Sequence, residues 1–108
     1  MIQRGGAHGD VKGIPGYESH HTPADSISPV PTNQGPAIAM KVEDHRLTAS
    51  WGNSREARIY RQQQASLIEQ GNFRAAQQMD VQDIRAKFGS KYDDAIQQML
   101  EYTNNQGF

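Results

Sequence analysis

Between Gly35 and Gly52 the chain reads GPAIAMKVEDHRLTASWG, and the fold turns on how that stretch divides. Ala37 to Val42 is a short apolar run opened by Gly35-Pro36, the pattern of a buried strand. The residues VEDHRLTAS then read as a helical turn or two carrying His45. Glu43 and Asp44 fall in its first turn, where carboxylates favour the positive end of the helix dipole. A strand running straight into a histidine-bearing helix sets His45 at a fixed remove from whatever pairs with that strand.

Upstream, all five prolines (Pro15, Pro23, Pro29, Pro31, Pro36) and most of the glycines lie at or before residue 36. That argues for turns, loops and short extended pieces rather than helix. Within this third lies GYESHHTPAD, Gly16 to Asp25, with Glu18 two residues before the pair His20-His21. The order strand, long loop, strand, helix follows. Residues 1–13 read as a flexible glycine-rich arm in which His8 carries no role.

Side chains alternate between the faces of a strand, so adjacent extended histidines do not readily ligate one ion together. Two neighbouring imidazoles suggest two jobs, one facing a metal and one facing a substrate. A third, His45, can return on the following helix to complete the metal site. The competing reading is a surface pair in a polar loop.

Downstream of Val42 there is no proline, and helix signals recur. Ser54 is an N-cap for REARIYRQQQASLIEQ, stopped by Gly71-Asn72, with Ala57, Tyr60, Gln64, Leu67 and Ile68 on one face. NFRAAQQ reads as a short helical turn. Asp80 then caps VQDIRAKF in a capping-box-like pattern with Asp83, and Gly89 ends it. Ser90 repeats the device with Asp93 to open KYDDAIQQMLEYT, whose Tyr92, Ala95, Ile96, Met99 and Leu100 form one stripe. The tail NNQGF is expected to fray.

At 108 residues, with 35% hydrophobic content and a mean hydropathy of -0.81, the chain supports one modest core. A net charge of -1 excludes a general basic field for nucleic acid, so any anion binding is local. With no cysteine there are no disulfides and no thiolate zinc sites; a metal would be held by histidine or oxygen. No apolar run approaches the roughly 18 residues of a membrane span, and the N-terminus has no secretory h-region. A soluble chain with no membrane partner is expected, one that leaves the cell only as part of something larger or by a machine needing no such signal.

YESHH followed by GPAIAMKVEDHRLTASWG resembles the ββα-metal finger of the HNH/endonuclease VII superfamily. Ser19-His20-His21 is similar to the SHH signature of polymorphic-toxin nucleases, and the Glu-x-His-His pattern and the interval to His45 look like those of DNase colicins. The resemblance covers about Gly16 to Gly52. It implies an α+β, mostly α domain: a finger at 14–52, made of a short β-hairpin plus a helix, and three or so further helices at 53–104.

It further implies a metal-dependent endonuclease acting on DNA, with RNA as the less favoured substrate. His20 and His45 would ligate one divalent ion (Mg, Mn, Ni or Zn), His21 would be the general base, and Glu18 an orienting or substrate-side carboxylate. Colicin-type fingers carry a further histidine one turn after the first; Ala49 stands there, leaving water, phosphate or Asp44 to complete the coordination. Asn33 is the nearest candidate for the asparagine of the motif. Such domains are the C-terminal toxic tips of secreted bacterial effectors, delivered by a secretion system into the target-cell cytoplasm and met in the producer by a cognate immunity protein.

Arg46, Arg55, Arg58 and Arg61 crowd the region after the proposed site. Phosphate contact and a solvated helix face are both open readings for them. Trp51, with Gly52, is expected to anchor the finger helix against the helical part, with base stacking the less favoured reading. The alternative function is a non-catalytic helical module binding DNA or protein around a structural metal; Asp93, Asp94 and Glu101 on the last helix argue against it as a DNA reader.

Overall fold

The computed structural model describes every residue from Met1 to Phe108. Ten elements follow in order, two of them single 3-10 turns. β1 (Gly5–Ala7) leads into α1 (His8–Val11), and β2 (Tyr17–His21) follows. The two 3-10 turns, Asp25–Ile27 and Thr32–Gln34, break the long connection to β3 (Pro36–Lys41). The chain passes at once into α2 (Val42–His45), then α3 (Arg55–Glu69), α4 (Phe73–Phe88) and α5 (Asp93–Gln106). The α+β, mostly α expectation holds at that level.

The sheet is antiparallel in the order β1-β3-β2, so β3 is central and β2 is an edge. His20 pairs with Ile38, His21 with Ala37 and Glu18 with Met40. Directly opposed residues share a face, so Glu18 and His20 lie on the face of Ile38 and Met40, while Ser19 and His21 lie on that of Ala37 and Ala39. The first face is the core. Ile38 and Met40 pack with Val81 and Ile84 of α4 and with Tyr92, Ala95, Ile96 and Met99 of α5. β3 and the C-terminal helices therefore close one interior, with the α5 stripe turned inward as its spacing predicts.

Residues 1–13 are not a flexible arm. β1 adds a third strand beside β3, in the register Gly5 to Ile38 and Ala7 to Pro36, and Val11 is buried. Glycine there serves close packing. A β-carbon on Gly5 would sit 2.0 Å from the Ala95 carbonyl oxygen of α5, so only glycine lets this strand lie against the helix.

α4 is one continuous helix where a short turn and a separately capped helix were expected. Asp80 does not cap. It is buried mid-helix, accepting a hydrogen bond from Tyr60 Oη at 2.7 Å and another from Gln64 Nε2 at 2.8 Å. Those tertiary partners satisfy the carboxylate inside a stretch with no proline or glycine to stop it. Asp83, expected in the cap, instead accepts from the Ala49 backbone at 2.8 Å and from Lys87 at 2.7 Å.

Ser54 does cap α3, accepting from the Ala57 backbone at 3.1 Å. α5 opens behind Tyr92 without a side-chain cap, so Ser90 does not have the expected role. Nor does the tail fray: α5 runs to Gln106, Gly107 takes the left-handed conformation (φ 75°) that ends many helices, and Phe108 packs its ring on Phe73 and Tyr102.

Candidate functional site

Where β2 leaves the sheet edge, α2 folds back onto its core face. The ring centroids of His20 and His45 come to 5.0 Å. His20 is 2% exposed, and its Nε2 is buried with no hydrogen-bond partner. Burial, then the charges of His45 and His21, hold its pKa well below the usual histidine value. The ring is therefore neutral and carries a lone pair.

His45 Nδ1 lies 2.8 Å from Glu18 Oε1. A carboxylate only accepts, so Nδ1 carries the proton and Nε2 is the basic nitrogen. Arg46 Nη2 donates to the second oxygen of Glu18 at 3.2 Å. The His45 hydrogen bond, helped by Arg46 and opposed by partial desolvation, holds the Glu18 carboxyl below its ordinary range. Glu18 thus faces His45, with Arg46 on its other oxygen.

On the other face of β2, His21 Nε2 donates to the Thr32 carbonyl at 3.0 Å, which leaves Nδ1 as its basic nitrogen. Asp25 Oδ1 lies 3.8 Å from the same Nε2, and Thr32 Oγ1 donates to Asp25 Oδ2 at 3.1 Å. Gly35 is required here: a β-carbon on it would stand 2.8 Å from His21 Cδ2.

His8, read from the sequence as carrying no role, stacks on His21 with centroids 4.2 Å apart and bonds Ser19 Oγ through Nδ1 at 2.8 Å. Burial first, and then the charge of His21, lowers its pKa.

A cleft of about 200 Å³ opens between these groups, lined by Ser19, His20, His21, Asp25, His45 and Trp51 among others. Trp51 does not anchor the core. It is 45% exposed on the cleft wall, with the Arg46 guanidinium 6.0 Å from its ring centroid. Arg61 Nη1 donates to the carbonyls on either side of it, Ser50 at 2.6 Å and Gly52 at 2.7 Å. That use takes Arg61 out of the free cations. Arg55 and Arg58 stay exposed on α3 without an acidic partner within ion-pair distance, and neither lines the cleft.

Asp44 does not join the histidines. Its Oδ2 is taken by Lys91 Nζ at 2.6 Å and Tyr92 Oη at 2.5 Å, which ties α2 to the start of α5. Asn33 is exposed on the Thr32–Gln34 turn, its side chain 3.5 Å from Lys12 Nζ, and the Thr32 carbonyl is what holds the loop to His21. No group of three or more His, Asp or Glu side chains gathers as a ligand cage. His20 and His45 form a pair, and two imidazoles, one of them oriented by a carboxylate behind it, are donors of a kind that fits a divalent ion with open positions.

Comparison with models of protein families, with curated proteins and with solved structures finds no match. What the site does is therefore read from its side chains.

Proposed function

We propose that this cleft is the active centre of a metal-dependent endonuclease that hydrolyses DNA phosphodiester bonds, with β2, β3 and α2 as a ββα-metal finger spanning 14–52. The observation that carries the reading is the approach of His20 and His45 to 5.0 Å, from a strand and a helix 25 positions apart in the chain (45 minus 20), with an unpartnered buried nitrogen on His20.

His20 and His45 would hold one divalent ion, Mg²⁺, Mn²⁺, Ni²⁺ or Zn²⁺, and such an ion would supply positive charge at the phosphate and the departing oxygen. Glu18 keeps the proton on His45 Nδ1, so that its Nε2 lone pair is the one offered. His21 takes the proton from the attacking water at Nδ1, while the Thr32 carbonyl fixes the ring through Nε2. Arg46 balances Glu18, and Arg55 and Arg58 supply phosphate contacts on the flanking strand.

Ser19-His20-His21 and the interval to His45 support a place in the SHH toxin group. On that reading the domain is the toxic tip of a larger effector, delivered by a secretion system into a target-cell cytoplasm and neutralised in the producer by an immunity protein.

The test is nicking of supercoiled plasmid with each of the four metals, an EDTA control and His21→Ala. Nicking that needs metal and disappears in His21→Ala is the expected result. Retarded mobility of intact plasmid, with no cleavage under any metal, would leave only a binding module.

A further inference from the structure

We infer that Trp51 is a stacking platform for an unpaired nucleobase beside the scissile phosphate, and that the substrate class is accordingly single-stranded or locally opened DNA. The inference rests on the nuclease reading of the cleft and adds to it the form in which the strand is bound.

The chain has a single tryptophan, and a lone indole in a small domain ordinarily belongs to the core. This one is 45% exposed on the wall that also carries His20, His21 and His45. Its exposure is held in place. Arg61 grips the carbonyls of Ser50 and Gly52, the residues on either side, and the Trp51 backbone N–H donates to the Thr48 carbonyl at 3.2 Å. Arg46, itself bonded to Glu18, stands at 6.0 Å from the ring centroid, within cation–π range. A rigid backbone under an open aromatic ring is the arrangement that base stacking needs, because every base has a π-face and little ordering entropy is left to lose.

Size points the same way. About 200 Å³ is smaller than the roughly 300 to 1,000 Å³ of pockets that enclose a drug-sized ligand. A cleft of that size takes the phosphodiester and little more, and the indole on its wall stands beside the attached base. A base still paired inside a duplex has no free face to give it.

Because Trp51 is the only tryptophan, its fluorescence reports the contact directly. The 108-residue His21→Ala chain with Mn²⁺ is titrated with a short oligothymidylate and with an abasic oligomer of equal length. Saturable quenching by the oligothymidylate, at least about tenfold tighter than any response to the abasic strand, is expected.

In the active chain, Trp51→Ala should raise KM on single-stranded DNA by about tenfold, and Trp51→Phe should restore most of the loss. Equal responses to the two oligomers, or an unchanged KM in Trp51→Ala, overturns the inference. Plasmid nicking by the unsubstituted chain is scored separately, so a protein that nicks without discriminating the oligomers loses the platform and keeps the nuclease.

Discussion

Glu18 and His45, separated by 27 positions, meet at 2.8 Å through a carboxylate oxygen and Nδ1. The contact fixes which imidazole nitrogen is left free, and under the proposed metal reading its removal has a calculable effect. Outer-shell carboxylates behind metal-bound histidines contribute about 10- to 100-fold in metal affinity. Glu18→Ala should weaken Mn²⁺ or Ni²⁺ binding, read by calorimetric titration, by that factor, and Glu18→Gln, which still offers an acceptor, by less. Unchanged affinity in both variants would remove Glu18 from the metal centre.

His20→Ala and His45→Ala should abolish metal uptake, whereas His21→Ala should bind metal as before and lose turnover. A positioned general base typically contributes about 10²- to 10⁴-fold, so the residual rate of His21→Ala is expected in that range below the parent. Loss of metal binding on substitution of His21 would mean that the roles of the two neighbours are exchanged.

His8 stacks on His21, the base of the proposed mechanism, so His8→Ala should lower kcat and leave KM and metal affinity near their parent values. His8→Phe retains a stacking ring and should recover part of the loss. Equal kcat in all three chains would show that the 4.2 Å contact does not orient His21.

How far the sequence could be read depended on whether a residue's partner was near in the chain. The β3–α2 junction was legible because Gly35-Pro36, the apolar run and the polar turn after it are local signals, and the amphipathic stripe of α5 was legible for the same reason. In the sequence the glycines at 5 and 9 look like looseness. In fact a β-carbon on Gly5 would collide with α5, and one on Gly9 would come within 3.3 Å of the Asn33 carbonyl oxygen. Both partners are remote in sequence. His8 was missed with them.

Asp80 and Asp83 resembled a helix start because aspartate does favour that place, and only the hydroxyl of Tyr60 and the amide of Gln64, brought in by α3, make a buried mid-helix aspartate tolerable. Trp51 was misplaced by the reverse error, a general preference for burial applied to a residue held at the rim by Arg61.

Gly5→Ala tests the packing of β1. The added methyl would stand 2.0 Å from a backbone oxygen, which cannot rotate away as a side chain would. Overpacking typically destabilises by about 1 to 3 kcal/mol, and a lowered denaturation midpoint of that size is expected by urea unfolding. Gly6→Ala would meet no atom within 4 Å, but its φ of 148° lies where only glycine is comfortable, so its loss should be backbone strain without the steric term. An unperturbed midpoint in Gly5→Ala would mean that β1 does not hold to α5 in solution.

Asp80 gives the stability a pH dependence of definite sign. Burial raises its pKa to about 7, against the opposing hydrogen bonds from Tyr60 and Gln64 and with a further push from the charge of Asp83. The unfolded carboxyl titrates near about 3.9. Between these values the folded chain holds a proton that the unfolded chain has released, so stability falls as pH rises and levels off above about 7. The fall is on the order of 4 kcal/mol.

His20 acts in the opposite direction over part of this window, since its depressed pKa makes stability fall as pH drops below about 6.5. The two are separated by comparing the parent with Asp80→Asn, whose amide keeps the shape and can pair with the Tyr60 hydroxyl. Urea unfolding at intervals from about pH 4 to about pH 8 should show the advantage of the parent over the variant shrinking steadily as pH rises, with no change once Asp80 is ionised in both states. A difference that stayed constant across the window would mean that Asp80 ionises in the folded chain as it does in water, and that the contact with α3 leaves room for solvent.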